Sequence, residues 1–176
     1  MAKVETLGEK VIRFIEAFCV TPEGVHVGKP IVLAEFQKKF LISIFDNPAG
    51  TRRAILSVGR KSGKSTLVAG IVLASIVGPL AKQNSSCCVG AMSREQSAII
   101  FHAAAKMVQL SPTLSRLVKV FPSGKRLLGL PLNVEFKALA ADGKTAMGGS
   151  YSLVLIDEIG QIRGPLTLPP KNVLLS

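Results

Sequence analysis

Arg53-Ala-Ile-Leu-Ser-Val-Gly-Arg-Lys-Ser-Gly-Lys-Ser-Thr66 reads as an apolar strand, a glycine-bearing turn and the polar opening of a long apolar helix. That order of elements builds a phosphate-binding loop. Gly59 and Gly63 allow a tight backbone turn, so the N–H groups through Arg60, Lys61 and Ser62 can point inward at a β-phosphate, with the dipole of the following helix adding to the attraction. Lys64 is placed to neutralise β- and γ-phosphate oxygens, and the Ser65 hydroxyl, followed by Thr66, suits a magnesium ion. The strict spacing G-x-x-x-x-G-K-[ST] would put its first glycine at position 58, which is Val58. A second Gly-Lys-Thr occurs at Gly143-Lys144-Thr145, but Ala-Met-Gly-Gly-Ser follows it, which cannot start a stable helix. Context selects the copy at Lys64.

Ser152-Leu-Val-Leu-Ile-Asp-Glu158 supplies the second half. Four apolar residues in a row fit a parallel strand buried on both faces, and a carboxylate directly after such a strand emerges at the end of the sheet where ligands bind. Asp157 is the candidate magnesium ligand, directly or through water. Glu158 is the candidate base that polarises an attacking water. An isolated Asp-Glu is an ordinary solvated turn; downstream of a phosphate loop, in a chain with three Asp, the pair points to ATP hydrolysis with Mg2+ as cofactor.

Composition sets the bounds. A chain of 176 residues with 48% hydrophobic content is long enough for one well-buried domain. Twenty-two Lys and Arg against eleven Asp and Glu, a formal +11, suit a polyanionic partner. The absence of Trp and the single Tyr argue against base stacking and for contact with the phosphate backbone. Cys19, Cys87 and Cys88 form neither a disulfide framework nor a metal-ligand spacing, as expected of a reducing compartment. The first ten residues lack the apolar core of a signal peptide. Ser65 to Ala81 carries no charge, yet its 17 residues fall short of the roughly 20 a spanning helix needs, so no membrane contact is expected.

Along the chain, apolar residues at 7, 11, 14, 15 and 18 predict an amphipathic helix over Leu7 to Phe18, and a Gly/Pro-punctuated link follows from Thr21 to Pro30. A second helix is predicted over 33–45, closed by the turn Asp46-Asn-Pro-Ala-Gly50. Strands are predicted at Ala54 to Val58, Ser86 to Ala91, Leu117 to Phe121 and Asn133 to Leu139, the last two around the loop Pro122 to Arg126. Ser93-Arg-Glu-Gln96 is a capping box for a helix through about Leu110. Strands alternating with helices imply a three-layer α/β domain with a mainly parallel sheet flanked by helices, here of the P-loop NTPase (ASCE) type. His26 and His102 match no catalytic pattern.

The succession Phe14-Ile-Glu16, Gly28-Lys-Pro30, Leu33-Ala-Glu-Phe-Gln37, the loop Gly59 to Thr66, Glu95-Gln96 and Asp157-Glu158 resembles the ATPase domain of tailed-bacteriophage terminase large subunits, over about residues 10–163. Members of that family drive double-stranded DNA into a preformed capsid and share a variant phosphate loop, which accommodates Val58. The resemblance implies that Arg60 reaches the γ-phosphate, where a planar guanidinium meets two oxygens. It implies that Phe36-Gln37, in a helical lead-in over 1–50, lies on the adenine side, with the Gln amide offering a donor and an acceptor. It also implies a terminase small subunit, a capsid portal and further copies of the chain as partners, in the cytoplasm of a bacterial host. Residues 164–176 are expected to form an irregular tail, since Pro169-Pro170 bars a helix, with the coupling motif and the nuclease domain absent. A helicase-like ATPase and an ATP- or DNA-binding remnant without turnover remain the alternatives.

Overall fold

The computed structural model describes residues 4–59, 61–91, 94–140, 151–157 and 173–175, with the backbone alone at 94, 95, 140 and 173–175. Helix α1 spans Leu7–Phe18 as the periodicity predicts, and Thr6 with Glu9 forms its capping box. Its buried stripe is Val11, Phe14 and Ile15. An isolated antiparallel bridge, Val20 to Pro30, closes the link to helix α2, Glu35–Phe45. This helix begins two residues later than predicted because the Gln37 amide oxygen accepts the Ala34 N–H at 2.9 Å and sets the N-terminus there. Asp46, at the end of α2, accepts from the Gly8 N–H (2.8 Å) and the Thr6 hydroxyl (2.6 Å), which fixes α1 to α2.

Strand β1, Arg53–Ile55, stops three residues short of the predicted end and pairs with Val173 to Leu175. Helix α3, Lys64–Val77, is apolar all round and buried from Leu67 through Ile76, as a helix wedged against a sheet should be. Among the described residues no helix is long and apolar enough to cross a membrane. Strand β2, Ser86–Ala91, matches its predicted span, and helix α4 runs Arg94–Leu110. The capping residue assigned to α4, Ser93, lies outside the described residues.

The next stretch departs from the sequence reading. Helix α5, Pro112–Leu117, occupies the approach to strand β3, Val118–Phe121. Ser111 caps it and Pro112 stands at its first position, where a missing N–H costs nothing. Strand β4, Arg126–Gly129, begins at the last residue of the predicted loop and runs through a stretch for which no strand was predicted. Strand β5, Val134–Ala140, starts one residue late because Asn133 takes a left-handed φ of 52°. Strand β6 is Tyr151–Ile156, and β7 is Val173–Leu175. The predicted irregular tail over 164–176 thus holds a strand, while 164–172 and 176 lie outside the described residues.

Among the described residues these strands form one sheet of seven, in the order β1-β7-β6-β2-β5-β4-β3. The first five in that order pair in parallel; β4 pairs antiparallel with both β5 and β3. The sheet is therefore mixed: four of its six described pairings are parallel, as expected, and the two made by β4 are antiparallel. The five helices among the described residues all bury residues in one cluster with Cys87, Val89, Leu127, Val134, Phe136 and Leu155, which share one sheet face. On the other face Cys88, Val154 and Ile156 cluster with Leu139 and Tyr151, and no residue of α1–α5 joins them. A third layer has no counterpart among the described residues. Burial pushes the Cys88 thiol up to about 12, so it behaves as a small apolar side chain.

Gly129 shows how closely the hairpin sits under α3: a Cβ built there would collide with the Ile76 carbonyl oxygen. Backbone cannot swing aside as a flexible side chain can. Gly129→Ala is expected to cost about 3 kcal/mol, the upper part of the usual overpacking range, read as a lowered urea midpoint; an unchanged midpoint would contradict the packing described.

Candidate nucleotide site

Two elements carry the candidate residues to one place. The chain leaves β1 at Ile55, turns through a loop with left-handed φ values at Lys61 (63°) and Gly63 (77°), and enters α3 at Lys64. The second element, β6, ends at Ile156 and delivers Asp157, whose N–H continues the ladder to the Gly90 carbonyl at 3.1 Å. Strand β7 separates β1 from β6, a gap of about 9.6 Å at the usual strand spacing. The loop and the first turn of α3 bring Lys64 to β6: its Nζ lies 3.0 Å from Asp157 Oδ1. Asp157 is buried and Lys64 partly so. A carboxylate taken out of water needs such compensation.

The loop has the character of an anion receptor. Gly63 caps α3 in the left-handed conformation without a side-chain hydrogen bond, and the first turn of α3 carries no acidic residue. The leading N–H groups of α3 thus lack a side-chain cap of their own. Among the described residues the buried Ser62 hydroxyl has no hydrogen-bond partner, and a buried orphan donor calls for one. Together with the Lys64 ammonium these groups fit a polyphosphate; Ser65 and Thr66, both partly buried, follow Lys64 in the first turn of α3.

Gln37 is buried and bridges two elements: Oε1 accepts the Ala34 N–H, and Nε2 donates to the Ser62 carbonyl at 3.2 Å. Phe36, beside it, is exposed. Between segment 31–34 and the loop lies a hollow of about 320 Å3, lined by Ile31, Leu33, Gln37, Ser62, Gly63 and Thr66 among others. Sequence reasoning gave no role to Glu16, which accepts the Leu33 N–H at 3.0 Å and meets Lys38 Nζ at 3.1 Å, so it holds that wall in place. A partner seventeen residues away leaves no local signal. Arg60 and Glu158, both assigned from sequence, lie outside the described residues. A larger hollow of about 360 Å3 opens at the other end of the sheet, lined by Leu7, Phe45, Ile71, Leu80 and Leu153 among others, and its lining holds no carboxylate among the described residues.

The family described as "Terminase large subunit, ATPase domain" matches residues 35–166. The terminase large subunit of Enterobacteria phage HK97 is 57% identical over 160 residues, which cover 91% of this chain and 32% of that protein. The crystal structure of the HK97 large terminase superposes with a TM-score of 0.86 at 49% identity, covering 97% of this chain and 37% of that one. An ATPase-domain mutant of the Thermus phage P74-26 large terminase gives a TM-score of 0.62 at 18% identity, covering 89% of this chain and 70% of that one, a likeness of fold alone. The chain spans about a third of the length of the HK97 relative it matches.

Proposed function

Because the chain belongs to the terminase large subunit ATPase-domain family, we propose that it hydrolyses ATP with Mg2+ and that this hydrolysis drives double-stranded DNA into a phage capsid. The observation that carries the reading is the approach of Lys64 to Asp157 at 3.0 Å, at the N-terminus of a helix that has no side-chain cap. In this reading the core is a P-loop NTPase of the ASCE type. The loop from Gly59 to Thr66 cradles the phosphates, with Lys64 on the β- and γ-oxygens and Arg60 reaching the γ-phosphate. Ser65 and Asp157 would hold the metal ion, which when bound supplies positive charge across the β- and γ-phosphates. Glu158 accepts the proton of the attacking water. The hollow beside Ile31, Leu33 and Gln37 takes the adenine, and Phe36, exposed at the start of α2, completes the adenine side. A terminase small subunit, a capsid portal and further copies of the chain are the implied partners, in the bacterial cytoplasm.

The test is phosphate release by the chain with and without duplex DNA, beside strand displacement from a partial duplex. DNA-stimulated release without displacement is the expected result. Displacement would favour a helicase, and no release at all would favour a binding remnant.

Gln37 gives a narrower prediction. Its two backbone bonds tie the N-terminus of α2 to the phosphate loop, and one hydrogen bond is worth about 1 kcal/mol, or roughly fivefold in affinity. Gln37→Ala is therefore expected to raise the KM for ATP about fivefold with kcat within twofold of wild type. An unchanged KM would remove Gln37 from the site.

A further inference from the structure

The positive charge of the chain is unevenly spread. Between Glu95 and Asp142 the sequence holds Lys106, Arg116, Lys119, Lys125, Arg126 and Lys137 against one carboxylate, Glu135. The β3–β4–β5 end of the sheet brings three of these cations onto one face. Phe121 stands opposite Arg126, and Arg126 opposite Lys137; Lys119 is two residues from Phe121 and so shares its side of the sheet. Their alternate neighbours Val118, Leu127 and Phe136 are buried in the cluster under the helices. Lys119, Arg126 and Lys137 therefore face away from the helices.

These side chains are held in place. The Arg126 guanidinium carbon sits 4.2 Å from the Phe121 ring centroid, and Lys119 Nζ sits 5.4 Å from it. Glu135 receives Arg126 Nη1 at 2.8 Å on one oxygen and Lys137 Nζ at 2.7 Å on the other. Burial alone would raise the Glu135 carboxyl, but hydrogen bonds from Lys137 and Arg126 outweigh it and hold it below the usual carboxylate range. Three cations thus stand over one carboxylate, a surplus of two positive charges. Lys119 is exposed, and the Arg126 and Lys137 side chains keep 40% and 44% of their surface open to solvent. Cations already fixed by neighbours lose less conformational freedom when they bind. Phe121 is half-buried under Arg126, which leaves phosphate contact rather than base stacking as the mode of recognition.

We propose that the face of β3–β4–β5 carrying Lys119, Arg126 and Lys137 is a docking surface for the phosphate backbone of double-stranded DNA. The proposal deepens the packaging reading and rests on it. Four strand spacings, about 19 Å, separate β3 from β6 and Asp157, so this surface is distinct from the nucleotide site. Contact with phosphates alone makes the binding nearly independent of base sequence.

The test measures the affinity of the chain for a random-sequence duplex across a salt series, for wild type, for Lys119→Ala/Lys137→Ala, and for a control pair of exposed lysines elsewhere, Lys10→Ala/Lys29→Ala. Two lost phosphate contacts should lower the slope of log K against log salt by about 1.8 and weaken binding 10- to 100-fold at 0.1 M salt. The control pair should keep the wild-type slope, and all three proteins should bind ATP alike. Amine labelling of the wild type needs no variant: duplex DNA should shield Lys119 and Lys137 while leaving Lys10 and Lys29 reactive. Wild-type binding without shielding, or equal losses in both pairs, overturns this surface and leaves the packaging reading standing. A wild type without salt-dependent affinity for duplex DNA removes both.

Discussion

Lys64→Ala is expected to lower ATP turnover at least 100-fold while the protein stays folded. The Lys64 ammonium stands where the loop enters α3, 3.0 Å from the Asp157 carboxylate. In the proposed site it meets the β- and γ-phosphate oxygens, where negative charge builds as the terminal phosphoryl group departs. Removing one such fixed electrostatic donor costs about 100- to 1000-fold in kcat in comparable sites. Loss of the ion pair also lowers stability, so the rate is to be compared at a temperature where circular dichroism shows both proteins native. Turnover within threefold of wild type would show that the loop at 59–66 does not do the chemistry.

Glu158→Gln is expected to separate binding from hydrolysis. The amide keeps the size and the hydrogen-bonding shape of the carboxylate but cannot take a proton from water. General-base assistance is worth about 100- to 10,000-fold, so turnover should fall by about that factor. The Kd for ATP should stay within about threefold, since no phosphate or metal contact is assigned to Glu158. Undiminished turnover would move the base elsewhere; a large loss of ATP affinity would make Glu158 a binding group instead.

What the sequence made legible divides along physical lines. α1 and β2 agree residue for residue with their predicted spans because a helical stripe and a doubly buried apolar run are local patterns. The meeting of Lys64 and Asp157, ninety-three positions apart, was also legible, since each ends or begins an element whose direction the apolar run fixes. Elements that owe their existence to distant partners were not. β7 is three residues long, follows Pro169-Pro170, and becomes a strand by insertion between β1 and β6. β4 is four residues in a Gly/Pro-rich stretch, stabilised by β3, β5 and the close passage of α3 over Gly129. Only α5 had an overlooked local signal, Ser111 before Pro112. The Gln37 bond to Ser62 and the Glu16 bond to Leu33 join segments brought together by packing, and no spacing rule announces them.

The convergence of Lys64 and Asp157 on one triphosphate is tested most directly by a crystal structure of the chain with Mg2+ and a non-hydrolysable ATP analogue. The expected result places Lys64 Nζ within hydrogen-bond distance of β- and γ-phosphate oxygens, about 3 Å, with the Asp157 carboxylate on the metal or on one of its waters. Phosphates bound out of reach of both side chains, with the 3.0 Å Lys64 to Asp157 pair left intact, would contradict the account.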